Sequence, residues 1–281
     1  MQDVAVIGAG TMGVGIAYVL AAAGCRTAVV EPDAGRTGVL VDTLRAQAQR
    51  GVARGKLTPE QAEALPGRLE VVATPAQLRT GLDLVVESVP ERLELKHQVL
   101  AAVADRRPAL LATNTSALSV DALAERLPHP QSFLGMHFFN PVWSLPMVEV
   151  VRGARTADAA VETAQLLVQL IGKESIVVHD VPGFATSRLD LIASLEAMRM
   201  LESGVASAED IDKAMVLAYR HPVGPLRLSD VVGLDVRLDI ARTLTTALGD
   251  RFSPPQVLVD LVERGALGQK TGQGFYAWPP A

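Results

Sequence analysis

The sequence predicts an α/β protein in which a doubly wound, mostly parallel sheet is followed by a smaller, all-helical domain. Three observations predict it. A short apolar run, Val4-Ala5-Val6-Ile7, meets a glycine turn, Gly8-Ala9-Gly10-Thr11-Met12-Gly13, and then a helical stretch reaching Gly24. Apolar runs of this kind then alternate with helical patterns as far as His179-Asp180, the order of a sheet built from strand, crossover helix and strand. Beyond Val181-Pro182-Gly183-Phe184 only helical patterns follow. The boundary is therefore expected at Pro182, with one domain over residues 1–181 and a second over 182–281.

The first element sets the chemistry. Four apolar residues without a flanking charge suit a strand buried on both faces. In a dinucleotide-binding turn Gly8 lets the chain bend, Gly10 admits a pyrophosphate close to the backbone, and Gly13 lets helix pack on strand. The N–H groups of Thr11 and Met12 then open a helix toward the phosphates. A second apolar run, Thr27-Ala28-Val29-Val30, ends in Glu31, about 20 residues past the glycines, where a carboxylate holds both ribose hydroxyls. Glu31 repels a 2′-phosphate, so NAD is favoured over NADP, with nearby Arg36 softening that preference.

Asp33 to Lys56 reads as a long polar helix carrying Arg45, Arg50, Arg54 and Lys56. Arg50 and Arg54 are four residues apart and share a face. They form either a solvated surface or an anchor for a phosphorylated substrate handle. Thr58 and Gln61 mark a capping box. Leu69 to Ala73 and Leu82 to Glu87 are strands, and Glu91 and Lys96 open the helix after the second, at the edge where open α/β sheets bind ligands.

Ala109 to Thr113 is a strand ending in Asn114-Thr115-Ser116, which either caps the next helix or forms a polar wall of a ligand site. Phe133 to His137 is the next strand, closed by Phe138-Phe139-Asn140-Pro141, and Met147 to Val151 returns as another. An antiparallel return brings Glu149 beside His137. A histidine on an apolar strand is either a satisfied core residue or a proton carrier, and a carboxylate within reach favours the second. Thr156 to Leu170 is helical and Glu174 to Val178 is the last strand; helices follow over Ser187 to Glu202 and Ala208 to Tyr219.

With 281 residues, 49% of them hydrophobic and 20% charged, the chain is long enough for two cored domains. A net charge of −5 speaks against a general nucleic-acid binder. The single cysteine, Cys25, cannot form an intramolecular disulfide and fits a cytoplasmic protein. The uncharged stretch from Val4 to Cys25 holds five glycines and lacks a basic leader, so neither an export signal nor a membrane span is read there. No metal-ligating set is read.

Taken in order, GAGTMGVGIA (8–17), ESVPERLELK (87–96), NTSALS (114–119), GMHFFNP (135–141), VEV (148–150), PGF (182–184), HPVGP (221–225), DVVGLD (230–235) and GQKTGQGFY (268–276) make the sequence resemble the 3-hydroxyacyl-CoA dehydrogenase family, in particular its short, stand-alone bacterial 3-hydroxybutyryl-CoA type. The resemblance implies a Rossmann-type first domain and NAD-linked interconversion of (3S)-3-hydroxyacyl-CoA and 3-oxoacyl-CoA, as in fatty-acid β-oxidation, butyrate or aromatic-acid metabolism. It implies His137 as catalytic base, Glu149 as its orienting partner, and Ser116 on the substrate oxygen. For the cofactor it implies the glycine turn with Thr11 and Met12, Glu31, Glu91, Lys96, Asn114, Ser116, Asn140 and Lys270; for the CoA portion, Arg50 and Arg54. Where the family has Asn just before an Arg, this chain has Ser187 before Arg188, a shorter catalytic-site side chain. A homodimer through the helical domain is implied as well. Relatives acting on gulonate or carnitine, and non-catalytic lens crystallin relatives, mark the two alternatives.

Overall fold

The computed structural model describes residues 3–279. Its chain divides into two compact units, with the break between Val181 and Pro182. The first unit is an eight-stranded sheet with helices on both faces. Its strands are β1 (Asp3–Ile7), β2 (Arg26–Val30), β3 (Leu69–Val72), β4 (Leu84–Glu87), β5 (Leu110–Thr113), β6 (Phe133–Phe138), β7 (Met147–Arg152) and β8 (Glu174–His179). They lie in the order β3-β2-β1-β4-β5-β6-β7-β8. All neighbours are parallel except β6 and β7. The connecting helices are α1 (Thr11–Ala22), α2 (Ala34–Ala53), α3 (Pro59–Ala64), α4 (Leu93–Ala104), α5 (Val120–Ala124) and α6 (Asp158–Leu170).

The local chemistry explains the element ends. Asp33 caps α2 by accepting from the N–H groups of Gly35 and Arg36, so the helix begins at Ala34. Thr58 and Gln61 form the expected capping box on α3. Leu82 and Asp83 precede β4 instead of joining it, and the Asp83 carboxylate accepts the N–H of Asp3 at 2.9 Å. Val4, Ala5 and Val6 are fully buried, as a strand covered by helices on both faces requires. Around α1 the residues from Gly13 to Ala21 are all buried, because the helix lies between the sheet, α2 and the loop after β6.

The second unit holds α7 (Thr186–Glu202), α8 (Ala208–Lys213), α9 (Pro225–Val232), α10 (Leu234–Leu248) and α11 (Gln256–Glu263) around a core that includes Leu191, Leu195, Met198, Leu226, Leu238 and Leu258. The helix expected to run through Tyr219 widens after Lys213 into a π-helical turn over Ala214–Ala218. A final segment, Gly268 to Trp278, is fixed by a buried acid: Asp230 accepts from the N–H groups of Phe275 and Tyr276 and from Trp278 Nε1. Among the described residues no helix is long and apolar enough to cross a membrane.

Two neighbouring glycines of the first turn differ in what surrounds them. A Cβ on Gly13 would lie 1.9 Å from the Gly8 carbonyl oxygen, a backbone atom that cannot yield, whereas a Cβ on Gly10 meets nothing within 4 Å. Gly13→Ala is therefore expected to lose at least about 2 kcal/mol of stability by overpacking, and Gly10→Ala about 1 kcal/mol or less, from the poorer N-cap alone. Chemical denaturation of the two variants checks this; equal stabilities would refute it.

Candidate active site

The sheet order reverses at β1, whose neighbours β2 and β4 lead in opposite directions. At such a point the connecting loops diverge and leave a crevice beyond the carboxyl ends of the strands. A pocket of about 1000 Å³ occupies that position. Ten of the residues singled out in the sequence line it: Gly8, Gly10, Thr11, Met12, Glu31, Glu91, Asn114, Ser116, His137 and Asn140. Ser88, Val89 and Pro90 complete the wall facing the glycine turn.

The residues present fit a dinucleotide. Gly8 adopts a φ of +98°, and the space over Gly10 is open. Helix α1 begins without a side-chain cap and without an acid in its first turn, so its leading N–H groups and positive dipole end face the pocket unopposed. The Glu31 carboxylate is 6% exposed and held rigidly: Oε2 accepts the N–H of Ala9 and Oε1 that of Asp33, each at 3.0 Å. Arg36 Nη1 lies 4.0 Å from Oε2, on an exposed side chain.

At the other end of the pocket His137 and Glu149 face each other. The antiparallel register pairs His137 with Glu149 and Phe138 with Val148. His137 Nδ1 is 2.9 Å from Glu149 Oε2, and Glu149 is fully buried. Phe139 packs on the imidazole with ring centroids 4.3 Å apart. Asn114 Oδ1 accepts the N–H of Phe138 at 2.9 Å, tying the end of β5 to the end of β6.

The Asn114–Ser116 run is not the cap of α5; Ser119 is, accepting from the N–H of Ala122. The run is instead fastened to Glu91, whose Oε1 accepts from Thr115 Oγ1 and from the N–H groups of Ser116 and Ala117. Burial works to raise the Glu91 pKa, but the Lys96 ammonium and these three donors outweigh it and hold the carboxyl below its usual range.

Other expected residues stand elsewhere. Lys96, implied as a cofactor contact, is 1% exposed and does not line the pocket; its ammonium is enclosed by both Glu87 oxygens, Glu91 and the Val89 carbonyl. Gly13 lies beneath the turn, against Gly8. Arg50 and Arg54 are exposed on and just after the last turn of α2. Ser187 and Lys270 belong to the second unit, where Ser187 starts α7 half-buried and Lys270 pairs with Asp235 at 2.6 Å. Sequence reasoning missed Glu87, Thr113 and Lys173. Glu87 and Thr113 read simply as strand ends, and only a three-dimensional neighbour reveals them. Lys173 donates to the carbonyls of Val142 (2.6 Å) and Leu145 (2.5 Å), stapling the loop after Asn140; burial and the Lys56 charge lower its pKa.

Comparison with known proteins places these features in company. Residues 3–181 match the model of the 3-hydroxyacyl-CoA dehydrogenase NAD-binding domain, and residues 183–278 that of the family's C-terminal domain. The chain is 39% identical to a 3-hydroxybutyryl-CoA dehydrogenase of Mycobacterium tuberculosis, covering 99% of both chains. It is also 39% identical to the 3-hydroxyadipyl-CoA dehydrogenase of Escherichia coli, covering 99% of this chain and 59% of that one. The crystal structure of (S)-3-hydroxybutyryl-CoA dehydrogenase from Ralstonia eutropha superposes with a TM-score of 0.94 at 33% identity, covering both chains completely.

The Glu91 geometry carries a pH signature. A carboxyl whose folded pKa is depressed stabilises the fold above its unfolded pKa, and that contribution disappears as pH falls through the folded value. Glu91→Gln is therefore expected to be less stable than the parent at pH 7, with a deficit that holds to about pH 5 and closes below the ordinary carboxylate pKa of about 4.3. Urea denaturation across pH checks this; a deficit that does not change with pH is the contrary result.

Proposed function

Because the chain belongs to the 3-hydroxyacyl-CoA dehydrogenase family and is an NAD-dependent oxidoreductase, we propose that it interconverts (3S)-3-hydroxyacyl-CoA and 3-oxoacyl-CoA with His137 as general base. The observation that carries the assignment is the 2.9 Å contact of His137 Nδ1 with buried Glu149, at a pocket that fits a dinucleotide. In the oxidising direction the hydroxyl proton passes to Nε2 of His137. Glu149 keeps Nδ1 protonated and stabilises the imidazolium as it forms. Bound NAD supplies the hydride acceptor. Ser116 orients the substrate oxygen by a hydrogen bond from its hydroxyl.

The other assignments extend this reading. The glycine turn with Thr11 and Met12 holds the pyrophosphate, and Glu31 the ribose hydroxyls, which favours NAD over NADP. Asn114 and Asn140 line the nicotinamide end, and Glu91 the wall beside it. Arg50 and Arg54 anchor the phosphorylated end of CoA by charge-assisted hydrogen bonds. By the same resemblance, Ser187, in the position where the family has Asn, belongs with the catalytic residues and Lys270 with the cofactor contacts. The reading includes a homodimer through the second unit, supported by the exposure of Leu189, Val231 and Val236, and a cytoplasmic location.

Purified protein is expected to oxidise NADH with acetoacetyl-CoA, and far more slowly with NADPH in its place. His137→Ala is expected to lower kcat/KM about a thousandfold with NADH affinity preserved. Absence of turnover above background across several acyl lengths sinks the substrate assignment, and a His137→Ala enzyme retaining most of its rate removes the base.

A separate experiment addresses the anchor. Arg50→Glu with Arg54→Glu is expected to raise KM for acetoacetyl-CoA about tenfold or more, the scale of one lost charged hydrogen bond, and to leave KM for NADH unchanged. An unaltered acetoacetyl-CoA KM returns α2 to the status of a solvated surface.

A further inference from the structure

Behind the pocket wall, and reaching it at Glu91, lies a charge cluster centred on buried Glu87 and Lys96. Glu87 ends β4 with no exposed surface. Its Oε1 accepts the N–H of Val89 at 2.7 Å and Lys96 Nζ at 2.8 Å; its Oε2 accepts Thr113 Oγ1 at 2.7 Å and Lys96 Nζ at 3.0 Å. Lys96 also donates to the Val89 carbonyl at 3.2 Å and lies 3.2 Å from Glu91 Oε2. The Val89 residue is thus gripped at its N–H by Glu87 and at its C=O by Lys96. Across the pocket mouth a Cβ on Gly8 would sit 3.0 Å from the Ser88 carbonyl, so wall and glycine turn are in close contact.

We infer that Glu87 is a positioning residue for the NAD-linked reaction: through Lys96 and Glu91 it fixes, in one unit, the Ser88–Pro90 cofactor wall and the turn that carries Ser116. The argument is one of charge. A single buried ammonium serves two carboxylates, and a buried cation needs its anionic partners close. Glu87 receives four hydrogen bonds and holds Lys96 at a fixed point between the two acids. Glu91, answering the same ammonium with Oε2, is left with Oε1 for Thr115, Ser116 and Ala117. With Glu87 neutral, Lys96 is left with Glu91 as its charged partner in the cluster and draws that carboxylate away from the two amides. The Ser116 turn then loosens together with the Val89 wall, while the His137–Glu149 pair, on β6 and β7, keeps its own support.

This assignment rests on the dehydrogenase reading for its link to catalysis, but its structural content is testable in the ligand-free protein. In Glu87→Gln, residue-resolved hydrogen exchange is expected to accelerate about tenfold at the amides of Val89, Ser116 and Ala117, the effect of losing one charged hydrogen bond, with β2 and β6 amides unchanged. NADH affinity, followed by fluorescence titration, is expected to fall about tenfold, and kcat with acetoacetyl-CoA to fall while its pH profile stays put. Because the effect runs through Lys96, the double variant with Lys96→Met is expected to be no worse than Lys96→Met alone. A merely structural Glu87 would lower the melting temperature and leave local exchange and NADH affinity within twofold of the parent, which overturns the inference. Should Glu87→Gln not fold, Thr113→Val removes one of the same bonds; exchange at Ser116 and Ala117 and NADH affinity all unchanged in that variant likewise overturn it. A parent that binds NADH but does not turn over acetoacetyl-CoA defeats the substrate assignment instead, and the exchange and titration results still decide the role of Glu87.

Discussion

The site depends on one departure from parallel order. Every strand pair in the sheet runs parallel except β6 and β7, and only an antiparallel pair can be joined by a short loop that keeps the two strand ends together. That loop spans residues 139–146, and the register it imposes sets Glu149 directly across from His137. Both side chains emerge on the same face at the same depth. A parallel crossover would have needed an intervening helix and would have started the next strand at the opposite edge of the sheet. A fully buried carboxylate is costly without a partner, so the register is also the one in which Glu149 is satisfied.

The loop itself is held from below and behind. Lys173, in the turn between α6 and β8, donates to two of its carbonyls, and α1 carries Gly15 where any Cβ would press within 2.7 Å of Val142. The same helix that begins at the glycine turn therefore also supports the loop leaving the histidine strand. The two ends of the pocket, one polar and dipolar at α1, the other the His137–Glu149 pair at β6 and β7, share a common support. Gly13 and Gly15 weaken α1 as an isolated helix, and close packing against Gly8 and Val142 makes them necessary.

Much of this was legible in the sequence, for a physical reason. Residues at strand carboxyl ends are read from where an apolar run stops: Gly8, Glu31 and Asn114 directly follow a strand, His137 is one residue before the end of β6, and Asn140 is two beyond it. The pairing of His137 with Glu149 was legible because a short loop leaves little choice of register. The direction a long charged side chain takes was not legible. Lys96 in the sequence is a cation near a ligand edge; in the structure its ammonium turns inward to meet the buried Glu87, with the more exposed Glu91 on its other side. The Asn114–Ser116 run satisfied the sequence rule for a helix cap, yet Ser119 does that work. A cap is a geometric property of the residue that enters the helix, and composition alone does not locate it.

A single device recurs in both units. Several loops are pinned by a carboxylate that accepts backbone N–H groups. Glu91 does so for the Ser116 turn, Glu87 for Val89, Asp212 for Leu226 and Arg227 at the start of α9, and Asp230 for Phe275 and Tyr276. An amide that donates to a charged oxygen makes a stronger and more directional bond than one that donates to a carbonyl, so a loop held this way keeps its shape with one face open. It also demands small residues at the point of closest approach: a Cβ on Gly274 would lie 2.1 Å from Asp230 Oδ1, and one on Gly268 would lie 2.2 Å from the Asp230 carbonyl oxygen. The glycine-rich stretch that ends the chain is thus the counterpart of an acid 40 residues earlier. Its spacing follows from the two points at which backbone must touch that acid, and Lys270 is carried between them.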